Sequence, residues 1–268
     1  MTLHILELKN VNLTYYSKTT ETNALKDVDF FVDEGEFIAI VGPSGCGKTT
    51  LLSLVSGILK PTSGRIFLNG KEVTGVNEDV GYMLQHDHLF EWRNIRQNIR
   101  LGLEIQKKLT PENSDRIDDL IEKYGLKEFA KSFPHQLSGG MRQRAALIRT
   151  LATNPSVLLL DEPFGALDFQ TRLNVCDDVY SIIKKEQKTA LLVTHDINEA
   201  ISMADRIIIL SKRPATVKNI HVTNLGTYSS PLSRRESPDF SKQFEKIWKE
   251  LNDNETQTRV IDQSAPIP

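Results

Sequence analysis

The segment Gly42-Pro43-Ser44-Gly45-Cys46-Gly47-Lys48-Thr49 constrains this chain more than any other. It fits G-x-x-x-x-G-K-[ST] and lies between a fully apolar run, residues 37–41, and a helix-like stretch, residues 48–58. Strand, tight Gly-rich loop and helix is the order in which a backbone can turn its N–H groups inward around phosphate oxygens, with the helix N-terminus adding favourable potential. An ordinary Gly-rich turn has no need of that placement. The sequence therefore predicts a phosphate loop cradled by Gly42, Pro43, Ser44, Gly45, Cys46 and Gly47. Lys48 neutralises the β and γ phosphates, Thr49 holds Mg2+, and Thr50 follows in the same helix turn. Cys46 occupies an unspecified loop position, where a small side chain suffices.

Such a loop needs a parallel sheet beneath it. Residues 157–160 and 190–193 are continuous apolar runs, the pattern of strands covered on both faces. Residues 5–8, 28–32 and 65–68 are shorter apolar segments bounded by turn signals, the last closing on Asn69-Gly70, and are expected to form an antiparallel β layer. From Gln85 to Pro155 the sequence turns helical and charged. Pro111 and Asn113 open one helix, and Gly140 opens another that carries Ala145, Ala146, Ile148 and Leu151. This stretch is read as a helical subdomain, about 86–155, inserted into an α/β core. Beyond Ser211 the composition becomes polar, with one amphipathic helix over residues 240–251 and a loose, Pro-containing end.

Two acids emerge from the apolar run 157–160, Asp161 and Glu162. The carboxyl end of a buried strand is where α/β sheets bind ligands. Alone, an Asp-Glu pair after a strand is often a solvated loop; following a phosphate loop, Asp161 is expected to orient Mg2+ and Glu162 to polarise the attacking water. His195 ends the next apolar strand. It is either a structural histidine or, beside the two acids, a hydrogen-bond partner that holds the catalytic geometry at the γ-phosphate.

Leu137-Ser138-Gly139-Gly140-Met141-Arg142-Gln143-Arg144 is not explained by nucleotide binding within one chain. Ser-Gly-Gly alone reads as a well-capped helix, which also offers a hydroxyl, free N–H groups and a positive dipole end. The full string resembles the signature motif of the ABC ATPases and falls between the phosphate loop and Asp161, as in that family. The resemblance spans about residues 3–225. It implies a P-loop NTPase of the ABC type, an α/β nucleotide-binding domain with an antiparallel β layer and an inserted helical subdomain. Residues 1–225 would form this ATPase domain and residues 226–268 a polar C-terminal extension. Gln85 matches the family's glutamine loop, reading Mg2+ or the lytic water. Ala166-Leu167-Asp168 matches the D-loop, which crosses to a second subunit. Tyr15 matches the aromatic that stacks on adenine, with Tyr16 as the other choice and a core strand aromatic as the plain reading of either. In the family the signature of one subunit caps the ATP held by the other. The resemblance therefore implies a head-to-tail dimer with a second copy, and a slow monomer.

The run Leu84-Gln85-His86-Asp87-His88-Leu89-Phe90-Glu91-Trp92-Arg93 resembles the ATPases of nitrate, sulfonate and taurine importers, as do Pro163-Phe164-Gly165-Ala166-Leu167-Asp168 and Lys212-Arg213-Pro214-Ala215. Glu91 departs from that group, which commonly carries proline there. Leu89, Phe90 and Trp92 would line a groove for a short permease helix, or Trp92 fills the core of the helical subdomain. His86 and His88 lack further ligands and are read as solvated or facing a partner rather than holding a metal. Arg93, Arg96 and Arg100 are expected on a solvated face, with contact to the permease as the lesser alternative. The tail after about 226 is too short for the regulatory β domain of some sugar-importer ATPases. The partners implied are membrane permease subunits and, indirectly, an extracytoplasmic solute-binding protein. An exporter ATPase remains open as an alternative. A soluble ABC ATPase of DNA repair or translation is a weaker one, since the chain has neither a second cassette nor a long coiled coil between its motifs.

Composition adds exclusions. Lys+Arg 33 against Asp+Glu 35 leaves a formal charge of -2, without the global attraction a nucleic-acid or anionic-lipid partner exploits. Two cysteines, Cys46 and Cys176, form no disulfide framework or metal-ligand pattern and fit a reducing compartment. The first ten residues show no basic stretch leading into an apolar one, and no run approaches the ~18 apolar residues of a membrane span. The expected location is the cytoplasm, peripheral to the inner face of the cell membrane through the permease.

Overall fold

A computed structural model describes residues 4–225 and 228–259, with side chains as far as Asn252. In chain order its elements are β1 (Leu6–Tyr16), β2 (Glu21–Val32), β3 (Phe37–Val41), α1 (Lys48–Val55), β4 (Ser63–Leu68), β5 (Lys71–Glu72) and β6 (Val80–Met83). There follow α2 (Ile95–Ile99), α3 (Leu101–Ile105), α4 (Pro111–Lys123), α5 (Gly139–Ala152), β7 (Val157–Asp161), α6 (Phe169–Lys185), β8 (Thr189–Val193) and α7 (Ile197–Met203). The chain closes with β9 (Arg206–Leu210), β10 (Val217–Val222), α8 (Pro231–Arg234) and α9 (Phe240–Arg259).

The apolar strand before the phosphate loop is an inner strand of a six-stranded sheet ordered β10-β9-β3-β8-β7-β6, in which β9, β3, β8, β7 and β6 run parallel and β10 antiparallel. All five residues of β3, β7 and β8 are buried, and their alternation sorts them to two cores. Ile38, Ile40, Leu159, Leu191, Val193 and Ile208 face a second, four-stranded antiparallel sheet, β2-β1-β4-β5, and α1. Phe37, Ala39, Leu158, Leu160, Ala190, Leu192 and Ile207 face the helices on the other side. Each such Ile, Leu or Phe stabilises the fold by about 1.5–3 kcal/mol relative to exposure. The expected architecture, an α/β core with an antiparallel layer, is the one observed. The Asn69-Gly70 turn joins β4 to β5 with both residues at positive φ, 50° and 72°.

Helix limits follow their caps. Thr110 accepts from the Asn113 N–H, with Pro111 in the first turn, to open α4. Ser138 caps α5 by accepting from the Met141 N–H, so that helix starts at Gly139, one residue before the expected start. The stretch expected to be helical to residue 58 stops at Val55. Gly57 breaks it, with φ 75° and so close to β5's following loop that a Cβ would lie 2.0 Å from the Gly75 carbonyl oxygen.

Helices α2 to α5 pack on one another, and α5 also lies against α6 and β6, so this helix links the inserted helices to the sheet. Two expectations are corrected in this region. Arg93, Arg96 and Arg100 do not form a solvated face. Arg96 grips Asp118 with two nitrogens at 2.5 and 2.7 Å, and Arg93 and Arg100 share Glu104 at 2.7 and 2.6 Å, tying α2 to α3 and α4. Leu89 is buried in the helical core rather than lining a groove, and Trp92, 73% exposed and stacked on Phe90 at 4.7 Å, fills no core.

The C-terminal helix α9 extends beyond the expected residues 240–251 and packs on α7, burying Phe240 and Ile247 in the main core. The loose end expected of the tail falls on residues 260–268, outside the described residues. Among the described residues no helix is long and apolar enough to cross a membrane.

Candidate active site

The carboxyl ends of β3, β7 and β8 deliver the loop, the acids and the histidine to one place. Between them lies a cavity of about 180 Å³ lined by Ser44, Gly45, Gly47, Lys48, Thr49, Thr50, Glu162 and Arg213. The loop's curl needs glycine at two points: Gly45 at φ 70° and Gly47 at φ 125°, where a Cβ would also stand 3.0 Å from Leu25 Cδ2. Lys48 is 7% exposed, and its Nζ donates to the Gly42 and Pro43 carbonyls at 2.9 and 3.1 Å. Cys46 is buried behind the loop, and burial raises its thiol pKa against the opposing pull of Lys48. That favours the neutral, unreactive thiol.

Asp161 ends β7 at 5% exposure, and Thr49 Oγ1 donates to its Oδ1 at 3.2 Å. Tyr82 on β6 donates to the other oxygen at 3.3 Å. Burial pushes the Asp161 carboxyl above its ordinary value, and the Glu162 charge adds to that; Thr49, Tyr82 and Lys48 pull the other way. Thr49 and Asp161 supply one hydroxyl and one carboxylate, all-oxygen donors with room for phosphate oxygens and water, which fits Mg2+. Among the described residues no cluster of three or more His, Cys, Asp or Glu could hold a metal by itself, and the His86 and His88 rings stand edge to face 5.9 Å apart.

Glu162 is held at φ 44°, a left-handed backbone that costs a non-glycine residue about 1–3 kcal/mol. Its N–H is tied to the Val193 carbonyl at 2.8 Å, which fixes the turn between the β7 and β8 ends. Glu162 Oε2 and His195 Nδ1 are 3.1 Å apart, with His195 64% exposed. Glu162, which lines the cavity, and His195 are thus in contact.

The other motif residues are placed as follows. Tyr15 is 43% exposed, and its hydroxyl pairs with Thr50 Oγ1 at 3.2 Å, beside the loop; Tyr16 is 67% exposed and makes no such contact. Neither is a core aromatic. Gln85, two residues beyond β6, is exposed and does not line the cavity. Ser138 and Gly139 are exposed on a different part of the surface, while Gly140 is buried where a Cβ would stand 2.9 Å from Val175 Cγ2 on α6. Asp168 caps α6, accepting from Thr171 N–H at 3.0 Å, and a Cβ at Gly139 would stand 3.0 Å from Leu167, so signature and D-loop adjoin within one chain.

The segment after Gln85 is clamped to the signature helix. Arg142 donates to both Asp87 oxygens at 2.8 and 3.1 Å and to Glu91 at 3.0 Å, and Arg149 donates to the Asp87 and His88 carbonyls at 2.6 Å each. Burial would raise the Asp87 carboxyl, but Arg142, the Leu89 N–H and Arg149 outweigh it and hold it below the usual range. Glu91 thus acquires a partner on the signature helix.

Two residues at this site carried no signal that the sequence reading could use. Tyr82 sits in the short run 80–83, whose Gly81 hides the strand, and its reach to Asp161 depends on β6 pairing with β7. Arg213 belongs to the quoted run of residues 212–215 but reaches the loop from 168 positions away.

Comparison with known proteins agrees with this geometry. A family model described as "ABC transporter" matches residues 25–165. An uncharacterised ABC transporter ATP-binding protein, YtlC of Bacillus subtilis, is 47% identical over 258 residues, covering 96% of this chain and 99% of that protein. The nitrate import ATP-binding protein NrtD of Synechocystis sp. is 39% identical, covering 94% and 97%. The aliphatic sulfonates import ATP-binding protein SsuB of Bacillus licheniformis is 40% identical, covering 88% and 90%. Among solved structures, the dimeric post-hydrolysis state of the ATP-binding cassette MJ0796 bound to ADP and Pi superposes with a TM-score of 0.69 at 32% identity, covering 82% of this chain and 99% of that one.

Proposed function

The chain belongs to the ABC transporter family as an ATP-hydrolysing, ATP-binding subunit, and from this we propose that it energises an importer of a small solute of the nitrate, sulfonate or taurine kind. It does so as a head-to-tail dimer with a second copy, docked on membrane permease subunits at the inner face of the cell membrane. An extracytoplasmic solute-binding protein delivers the cargo. Residues 1–225 act as the ATPase domain, within which residues 86–155 carry the contact to the permease.

One observation carries the dimeric reading. The cavity is lined by the phosphate loop and Glu162 but by none of Ser138, Gly139 or Gly140, and the Ser138 hydroxyl is engaged at the start of α5. Each chain thus offers half of a site and the complementary half of another, the arrangement that a two-fold axis completes. The importer reading draws on the relatives' names together with the run 84–93 and the exposed Trp92 stacked on Phe90.

Chemically, backbone N–H groups of the loop bind the triphosphate, and Lys48 leaves the Gly42 and Pro43 carbonyls to meet the β and γ oxygens. Thr49 and Asp161 hold Mg2+, which when bound spreads the charge that develops on the phosphates. Glu162 accepts the proton of the attacking water, and His195 orients the Glu162 carboxylate and the γ-phosphate. Tyr15 stacks on the adenine, while Ser138 to Gly140 of the second copy close the site over the γ-phosphate and Asp168 crosses to the opposite loop. Gln85 enters the site only on that closure.

The experiment is complementation between two inactive variants. Lys48→Ala spoils the loop and Ser138→Arg spoils the signature. Mixed in equal amounts, they form heterodimers in which one site pairs an intact loop with an intact signature. Recovery of about a quarter of wild-type hydrolysis is expected from random pairing. A mixture as inactive as its parts, with dimers demonstrably formed, removes the shared-site reading.

A further inference from the structure

Each peptide is planar and trans, with C=O and N–H pointing in opposite directions, so a side chain that holds a loop carbonyl also fixes the orientation of that peptide's N–H. Three carbonyls of the phosphate loop are held by cationic side chains. Lys48 takes those of Gly42 and Pro43, and Arg213 Nη2 donates to the Gly45 carbonyl at 2.6 Å. The two cations differ in one respect. Lys48 belongs to the loop itself, whereas Arg213 reaches the same cavity wall from the segment between β9 and β10.

That segment is itself fixed. Ala215 N–H donates to the Ala24 carbonyl and Lys26 N–H to the Ala215 carbonyl, both at 2.9 Å, while Ser211 and Thr216 close a turn through bonds of 3.0 and 2.9 Å. Ala24 and Leu25 of β2 are also the residues a Cβ at Gly47 would meet, at 3.4 and 3.0 Å. One strand therefore backs both the loop and the segment that carries Arg213. The Gly45–Cys46 peptide is the loosest plane in the loop: Gly45 is exposed, sits at φ 70°, and a Cβ there would meet nothing within 4 Å. Apart from Arg213, it is held by a 3.2 Å bond from Cys46 N–H to the Pro43 carbonyl, an oxygen already shared with Lys48.

We propose that Arg213 is a positioning residue of the phosphate loop: by gripping the Gly45 carbonyl at the wall of the cavity, it fixes the Gly45–Cys46 peptide and with it the curl of the loop around the phosphates. Its role begins where that of Lys48 on the loop ends, since the Gly45 carbonyl stays held after Lys48 has turned to the nucleotide. The inference rests on the reading of the cavity as an ATP site. It makes a specific demand, that ADP and ATP be affected alike, because the peptide it orients belongs to the cradle shared by both.

The test uses full-length protein and fluorescent ATP and ADP analogues, with kcat and KM measured in parallel, on Arg213→Met and Arg213→Lys. Arg213→Met should weaken both nucleotides and raise KM by about tenfold, the scale of one charge-assisted hydrogen bond, with kcat changed less than about threefold. Arg213→Lys, which keeps a cationic donor, should return affinity to within about threefold of wild type. Unchanged affinity in Arg213→Met overturns the proposal, as does a fall in kcat at constant KM, a loss confined to ATP, or a lysine variant as weak as the methionine one. Lys48→Ala separates this from the underlying reading. Should wild type bind neither nucleotide, the ATP site itself is refuted; should wild type bind, Lys48→Ala fail and Arg213→Met bind normally, only the role of Arg213 falls.

Discussion

Thr49 Oγ1 donates to Asp161 Oδ1 at 3.2 Å, joining the first turn after the phosphate loop to the end of a strand 112 residues later. The bond ties the start of α1 to the end of β7, with Tyr82 on the second Asp161 oxygen. Its partner is a buried carboxylate whose pKa is raised, so the site holds charge at a cost that a cation would offset.

Asp161→Asn should therefore stabilise the nucleotide-free protein while ending its function. With the folded pKa above the unfolded one, the folded state binds the proton more tightly. The stability Asp161 contributes is present below its unfolded value of about 3.9 and is lost as pH rises through the folded value. At neutral pH the asparagine variant is expected to be about 1 kcal/mol more stable. Its advantage should shrink as pH falls, read by denaturant unfolding across a pH series. A less stable variant at pH 7 contradicts the argument.

Glu162→Gln should retain ATP binding and lower turnover by at least about a hundredfold, the loss expected when a general base is removed. His195→Ala removes the partner 3.1 Å from that carboxylate and should also lower kcat, with nucleotide affinity near wild type. Single-turnover hydrolysis with analogue binding measured alongside separates the two effects; full turnover by Glu162→Gln refutes its assignment as base.

Trp92→Ala should change unfolding free energy by less than about 0.5 kcal/mol, because the ring is 73% exposed and contacts Phe90 alone among aromatic neighbours. Basal hydrolysis should persist, while co-purification with the permease is lost. A destabilisation of several kcal/mol restores the core-filling reading.

Arg96→Ala should cost about 1 kcal/mol, at the upper end for a partly exposed ion pair, since two nitrogens meet Asp118 and a third contact reaches Ser114. Asp118→Ala should cost a similar amount, and the double variant little more than either single one. Additive losses would mean that the two residues act independently and that α2 and α4 are not tied through them.

The contacts of Arg96 mark where linear patterning stops informing. Residues 93, 96 and 100 read as a solvated face because i, i+3 and i+7 charges on a helix usually are; only the arrival of Asp118 on α4 and Glu104 on α3 converts them into ties. Trp92 was open between groove and core for the same reason, since burial belongs to the packed neighbour and not to the residue. The helix end at Val55 depended on Gly57 approaching Gly75, a contact between segments.

What the sequence by itself determined is local chemistry: the glycines at 45 and 47 that permit the loop's curl, the apolar runs that must be covered on both faces, and the serine that caps α5. Each is set by a few consecutive residues, through backbone sterics, periodicity or a side chain reaching three positions along. The tertiary structure alone decided the convergence of parts: Tyr82 on Asp161, Arg142 between Asp87 and Glu91, and Arg213 on the Gly45 carbonyl. Those contacts span tens to more than a hundred residues, and their geometry is fixed by which strands lie side by side, a property that no window of sequence contains.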